Sequence, residues 1–364
     1  MGKRIAVCLV LSLLLTGCRD QLILERLGFT QSTSYDLLPD GRLKISVSIP
    51  KTDPESTVRR EILSTVARTS KEGRLNLSRK TNLILVSGQL RTTLYGLSLA
   101  KSGLWSHLDT LQRDPTISPR VKVVIVNGEA SQLLEHNFSQ HPRTGQYIDR
   151  LLEKESNGGS IPRVTLYDFV RDYYDDGIDP VAPIVVGRKD NIEMDGIALF
   201  KKDKYRMRIE PVQVMFFALA RGKVNRGEMS IDLTGKEGTE SVMLDSVEST
   251  RKLKATKMNN GSIGIHLQLS IRGAIREYIG KLRLAETKDH QLLEEAISRH
   301  ISKQLEDIIR NIQKHGVDSL GFGKVVRNSL TYKEWKALDW NAVYPRIAVK
   351  LSVGIQIKDQ GKLE

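Results

Sequence analysis

Apolar residues recur along this chain at two spacings, and the mixture changes near the middle. Leu43, Ile45, Val47 and Ile49 alternate with Lys44, Ser46 and Ser48, the period of a strand with one buried face. Pro39-Asp40-Gly41 ahead of them is turn chemistry. Beyond Pro54, Val58, Ile62 and Val66 recur every four residues, which predicts the apolar stripe of a helix ending before Gly73. Leu83 to Val86 reads as a short strand and Thr92 to Leu99 as a helix. Val121 to Val126 is apolar apart from Lys122 and stops at Asn127-Gly128. That is the pattern of a buried central strand, followed by a helix through Leu133 and Leu134. Strand and helix in alternation predict an N-terminal α/β domain with a mixed sheet over residues 18–190. Ser156-Asn157-Gly158-Gly159-Ser160 reads as a flexible loop, and regular structure is expected to break between Asp175 and Pro183.

The second half favours long strands. Gly196 to Phe200 and Tyr205 to Ile209 predict a hairpin around a lysine-rich turn, with a helix over Val212 to Ala220. Met229 to Leu233 and Ser241 to Met258 are strand candidates. Ile263, Ile265, Leu267, Leu269 and Ile271 alternate cleanly, as do Ile347, Val349, Leu351, Val353, Ile355 and Ile357. Between them lies the longest helix, Lys288 to His315, with Ile297, Ile301, Leu305, Ile308 and Ile312 on one stripe and Gly316 as its stop. A C-terminal α+β domain is expected over 191–364, subdivided near 225: an antiparallel sheet covered on one face by the long helix. The overall class is therefore multidomain, α/β followed by α+β.

The chain has 364 residues, 40% hydrophobic and 27% charged, enough for two or three domains and incompatible with wholesale disorder. Two cysteines exclude a disulfide scaffold or a thiolate zinc site. The N-terminus narrows the compartment. Lys3 and Arg4 precede an eleven-residue apolar stretch, Ile5 to Leu15, too short to span a bilayer but of signal-peptide length. It ends in Leu15-Thr16-Gly17-Cys18. Small residues before a cysteine suit a narrow peptidase pocket, and the thiol can accept diacylglycerol: this is a bacterial lipobox. Residues 1–17 are expected to be a lipoprotein signal peptide, cleaved between Gly17 and Cys18, with Cys18 the site of lipid attachment. The net charge of +13 then suits an anionic membrane surface as a second attraction. Nucleic acid is not expected as a partner.

The search for reaction chemistry returns little. No H-E-x-x-H, P-loop or G-x-S-x-G is present. Ser98 and Lys101 have Ser-x-x-Lys spacing without the partner motifs of penicillin-binding enzymes. His136 and His141 lack ligands to complete a metal shell. Asp172, Asp175, Asp176 and Asp179 could crowd a calcium ion, but no EF-hand frame surrounds them, and a solvated acidic loop is preferred. Lys201-Lys202 and Arg251-Lys252 read as parts of a solvated basic face. Trp335 and Trp340, beside Phe322, Tyr332 and Tyr344, could form a stacking box, with packing the favoured reading. No catalytic residue, cofactor or metal is expected, and the chain is read as a non-enzyme.

The C-terminal run Asp318-Ser319-Leu320-Gly321-Phe322-Gly323, then Trp335, Trp340 and the last alternating strand, resembles the signature of the GerC-type (Ger(x)C) spore germination lipoproteins. Cys18-Arg19-Asp20, Glu25 to Gly28, Tyr35-Asp36 as an Asp-bearing turn, Arg113 to Leu134, and the Gly196-Ile197-Ala198-Leu199-Phe200-Lys201 hairpin are similar to other parts of that family, in its order. Arg19 and Gln89 depart from the residues usual there. The resemblance implies the C subunit of a nutrient germinant receptor, with integral-membrane A and B subunits as partners, anchored by Cys18 on the outer face of the spore inner membrane (a cell membrane). Gly321 and Gly323 are expected to adopt positive φ. The alternative is a solute-binding lipoprotein of an import system, which calls for two similar lobes around a cleft.

Overall fold

An eight-stranded sheet and a four-stranded sheet organise the protein, with a separate two-stranded ribbon beside the first. The structure, a computed structural model, describes residue 2 and residues 23–51, 59–159, 161–222, 224–235, 238–257 and 262–359. Residues 1–17 as a signal segment, and Cys18, lie outside the described residues apart from Gly2.

The first part contains strands β1 (Leu27–Phe29), β2 (Ser32–Leu37), β3 (Leu43–Pro50), β4 (Arg60–Ala67), β5 (Ile84–Val86), β6 (Thr92–Gly96), β7 (Lys122–Val126), β8 (Val181–Gly187), β9 (Ile192–Lys201) and β10 (Lys204–Ile209). Its helices are α1 (Ser70–Ser78), α2 (Leu97–Ser102), α3 (Trp105–Gln112), α4 (Ala130–Glu135), α5 (Thr144–Asn157) and α6 (Leu166–Tyr174). The large sheet has the order β10-β9-β8-β7-β6-β2-β3-β4. Its centre, β2-β6-β7-β8, is parallel, and hairpins extend it antiparallel at both edges. In β7, Val123 and Ile125 belong to one core cluster and Val124 and Val126 to the other. Helices therefore cover both faces, which is why this strand is apolar at consecutive positions.

Several expectations change here. Ile62 and Val66 are on strand β4, not a helix, paired antiparallel with β3; Val58 lies outside the described residues. A four-residue spacing is also a multiple of two, so it fits a strand equally well, and β-branched Ile62, Thr65 and Val66 favour the strand. Thr92 to Gly96 is strand β6, and only Leu97 starts helix α2. The approach of Asp36 marks that change: a Cβ on Gly96 would collide with its carboxylate. Tyr35-Asp36 lies within β2 rather than in a turn. The expected loop at 156–160 begins as the end of α5, whose Ile148 and Leu152 are buried one turn apart. Pro183, expected in a break, lies within β8 beside a register shift. The first sheet also runs past position 190, because β9 and β10 pair onto β8 and carry its ladder to Ile209.

The second part comprises α7 (Val214–Arg221), β11 (Gly227–Gly235), β12 (Gly238–Lys257), β13 (Ile263–Ile279), α8 (Thr287–Lys314), α9 (Phe322–Ser329), α10 (Tyr332–Ala337), α11 (Trp340–Val343) and β14 (Ala348–Asp359). Leu293, Ile297, Ile301, Leu305, Ile308, Ile309 and Ile312 make the buried stripe of α8. Gly316 at φ 66° ends it, as a left-handed stop should. The sheet order is β11-β12-β13-β14, antiparallel through β13 but parallel between β13 and β14. This departs from the expected all-antiparallel sheet. Helix α8 returns the chain to the end of the sheet where β13 begins, so β14 enters in the same direction.

Because Ile301 is fully buried on the central turn of α8, Ile301→Ala is expected to cost about 2–5 kcal/mol. Leu292→Ala, at a position 42% exposed, is expected to cost well under half of that. Urea denaturation of the two variants against the parent chain checks the difference.

Candidate functional site

The residues with the least ordinary environments gather where the two sheets meet. After Gly316 the chain turns through Val317, Asp318 and Ser319, all essentially without solvent exposure. Gly321, at φ 72°, then leads into α9. Asp318 aims its carboxylate at the start of that helix. Oδ1 accepts from the Phe322 N–H at 2.9 Å, and Oδ2 accepts from the Gly323 N–H at 2.7 Å and the Trp340 indole N–H at 3.2 Å. Donors at a helix N-terminus are what a buried carboxyl group needs. Burial nevertheless pushes its pKa up to about 7, with Asp179 adding to the rise and the three N–H donors opposing it.

Asp179 ties this loop to the first sheet. Its Oδ2 accepts from the Asp318 N–H at 2.8 Å and from Lys201 Nζ at 3.0 Å, while its own N–H donates to the Asp318 carbonyl at 2.9 Å. Arg221, at the end of α7, donates to Asp172 Oδ2 at 2.8 Å and to the Ser319 carbonyl. Arg251 donates to the Arg221 and Leu320 carbonyls at 3.1 and 2.7 Å. Burial lowers the pKa of both guanidinium groups, that of Arg251 to about 10. Nearer the surface, Arg327 of α9 donates to Asp175 Oδ1 at 2.7 Å and Asp176 Oδ1 at 3.0 Å. Burial acts to raise both carboxyls, but the Gly177 N–H and Arg327 hold Asp175 below the usual carboxylate range. The Trp335 indole and Arg327 do the same for Asp176.

Gly177 and Gly323 let the two backbones touch. A Cβ on Gly177 would lie 2.5 Å from the Lys324 nitrogen, and one on Gly323 would lie 2.6 Å from Trp340 Nε1. Gly321 has the expected positive φ, whereas Gly323 is helical and is needed for this close approach instead. Beside the junction is a cavity of about 230 Å³ lined by Asp175, Asp179, Lys201, Lys202, Trp335 and Trp340, among others.

The acidic stretch is therefore only partly solvated: Asp176 is exposed and Asp175 half-buried, and Asp172 belongs to α6. Asp172 and Asp179 are buried, and all four of its aspartates are engaged with cations of the surrounding elements. Lys201 faces inward to Asp179, and Lys202 donates to the Tyr173 carbonyl at 2.9 Å. In Arg251-Lys252 the two side chains take opposite faces of β12, half-buried and exposed respectively. Trp335 and Trp340 pack with ring centroids 6.0 Å apart. Ser98 and Lys101 are exposed on the short helix α2. His136 contacts Phe138, and His141 stacks on Tyr147. No metal-holding group of three or more His, Cys, Asp or Glu occurs among the described residues. Sequence reasoning misses Arg221 and Arg327, since lone arginines carry no spacing signal. Asp318 is visible there only through the glycines that follow it.

Because the folded pKa of Asp318 is raised to about 7 from the ordinary aspartate range, the protonated form stabilises the fold. That contribution is complete below about pH 4 and is lost as the pH rises through about 7. Asp318→Asn, neutral at every pH, is expected to be less stable than the parent. The gap should narrow by about 2 kcal/mol between about pH 5 and pH 8. Thermal or urea unfolding across that range measures it.

Comparison with known proteins agrees along the whole chain. Residues 20–186 match the family model described as "Spore germination protein N-terminal domain", and residues 195–361 match "Spore germination B3/ GerAC like, C-terminal". The chain is 24% identical over 362 residues to "Spore germination protein GerQC" of Bacillus cereus, covering all of both chains. It is 22% identical to "Putative spore germination protein YfkR" of Bacillus subtilis (strain 168), covering 100% of this chain and 98% of that one. "Spore germination protein KC" of the same organism is 20% identical over 77% of this chain and 72% of its own length. A solved structure, "Crystal Structure of the GerBC protein", superposes with a TM-score of 0.59 at 14% identity, over 91% of this chain and 98% of that one. It shows a shared fold.

Proposed function

We propose a function from one premise: the chain belongs to the GerAC family of spore germination proteins, both of whose domains it carries. In this reading it is the C subunit of a nutrient germinant receptor. It is non-enzymatic, anchored through a lipid on Cys18 to the outer face of the spore inner membrane, and it acts by contact with integral-membrane A and B subunits. The observation that carries the reading is the end-to-end similarity to germination proteins, with the lipobox Leu15-Thr16-Gly17-Cys18 at the head of the chain.

Two features fit a subunit that works by contact. The chemically notable side chains are spent on holding the two sheets together, as the pairing of Arg221 with Asp172 and of Lys201 with Asp179 illustrates. No helix among the described residues is long and apolar enough to cross a membrane, and in this reading the attachment is the lipid on Cys18. The import-system alternative expects two similar lobes, but one sheet here has eight strands and the other four, in different orders.

Labelled palmitate is expected to enter the parent protein and not Cys18→Ala, and the variant should leave the membrane fraction. A tagged parent chain is expected to bring multi-pass A and B subunits with it from detergent-solubilised spore membranes. Palmitate in Cys18→Ala, or a tagged chain that recovers an importer permease instead, would count against the reading.

A further inference from the structure

The ribbon formed by β1 and β5 presents an apolar and basic end close to the point where the chain would leave its anchor. The two strands are parallel and in register from Leu27 opposite Ile84, so the segments leading into them lie at one end. On one side are Ile23 and Leu24, 52% and 64% exposed; on the other is Ile84, 50% exposed. Arg26 and Arg79 are exposed in the same two segments, next to the exposed Glu25, whereas Lys80 donates from Nζ to the Ser64 carbonyl of β4. The end is firmly held. The Arg26 N–H donates to the Ile23 carbonyl, the Thr30 N–H donates to the Val86 carbonyl, and the Gln31 N–H donates to the Ser48 carbonyl of the main sheet. Gly28 lets the strands close up, since a Cβ there would already touch Leu83 and Leu85 at 3.1–3.2 Å.

Isolated exposed apolar residues need no explanation, but a cluster joined to cations does. Chain length identifies what it meets. From Cys18 to Ile23 the covalent chain reaches at most about 18 Å, so a lipid on Cys18 keeps this end of the ribbon within that distance of the acyl chains. We propose that the end of the β1–β5 ribbon is the membrane-contacting face of the protein. Ile23, Leu24 and Ile84 enter the headgroup boundary of an anionic phospholipid bilayer, and Arg26 and Arg79 lie among its phosphates. The two acyl chains of a diacylglyceryl anchor hold the protein at the bilayer but leave its orientation free, and an apolar and basic contact fixes that orientation. The proposal rests on the anchor reading above and adds the face that the anchor presents.

Ile84 decides the matter, because its position follows from the fold and not from its distance along the chain to the anchor. The test uses chain acylated at Cys18, reconstituted on vesicles of equal phosphatidylcholine and phosphatidylglycerol. Single spin labels are placed by Ile84→Cys, by Gln268→Cys on the exposed face of the second sheet, and by Tyr332→Cys. All three positions are exposed, and Cys18 carries the lipid, so each label is unique. Collision of the label at 84 with an aqueous relaxation agent is expected to fall several-fold relative to 268 and 332, and its collision with oxygen to rise. Adding Arg26→Glu and Arg79→Glu is expected to restore much of the aqueous accessibility at 84. Equal aqueous access at all three positions on vesicle-bound protein, or protection at 268 instead, would overturn the face and leave the anchor standing. Protein that does not stay on vesicles would overturn the anchor, and the face with it.

Discussion

A carboxyl group taken out of water must be given donors, and Asp318 draws its donors from separate elements. Two are backbone N–H groups at the start of α9, and one is the indole of Trp340 in α11. Its own backbone is bound in turn by Asp179 of the first sheet's flank. These groups can be satisfied together only if α9, α11 and the loop before β8 occupy one arrangement. Burying the charges of Asp172, Asp179 and Arg221 costs desolvation, so the network holds only when every partner is in register. Two sheets of different construction thereby acquire a single relative position.

The apolar interior makes the same demand. One core cluster runs from Val124 and Val126 of β7 through Leu199 and Phe217 to Leu269 and Leu305 of the second part. The side of the first sheet that bears Val124 is thus continuous with the packing under α8, and no solvent layer separates the parts there. The family models divide the chain between 186 and 195, but backbone pairing carries the first sheet to Ile209. The division by sequence and the division by hydrogen bonding differ by one hairpin. That hairpin, β9–β10, supplies Lys201 and Lys202 to the junction. A trap with two lobes closing on a solute needs a hinge crossed by few contacts; here both core and ion pairs cross.

Long elements with one buried face are legible in the amino-acid pattern alone. In α8 every third or fourth residue is apolar, and in β13 every second one is. Neither pattern fits the other period over that length. Short elements are not legible in this way. Ile62 and Val66 suit both periods, and their strand state is decided by the neighbour β3, which no local pattern reveals. The parallel entry of β14 is equally non-local, since it follows from where α8 delivers the chain. At the candidate site, Trp335 and Trp340 are packing residues, as their clustering with Phe322 and Tyr344 suggests. The acidic loop defeats local reasoning because its partners are distant in sequence: Arg221 and Arg327 lie far beyond Asp172 and Asp175. Composition marks such a stretch as polar, and only the tertiary structure shows that Asp172 and Asp179 are buried and that its carboxylates are paired.

The excess of positive charge has a structural place that the linear sequence hides. Strand alternation in β12, β13 and β14 puts Lys252, Lys254, Arg272, Lys350 and Lys358 at exposed positions, while the intervening positions face α8 or the core. Lys254 is opposite His266, and His266 is opposite Lys350, a row of basic residues across three strands. The two lysines stand two strands apart with the imidazole between them, and water and salt screen their repulsion. Glu248 stands opposite Arg272 and offsets its charge. Lys350 and Lys358 sit on β14, which ends the sheet among the described residues, and two of its backbone groups, the Val353 carbonyl and the Ile357 N–H, are bonded by Ser298 and Glu294 of α8. Long exposed edges invite pairing with other chains, and charged side chains along them discourage it. Arg26, just before β1, and Arg79, just after α1, lie away from that edge and have no part in protecting it.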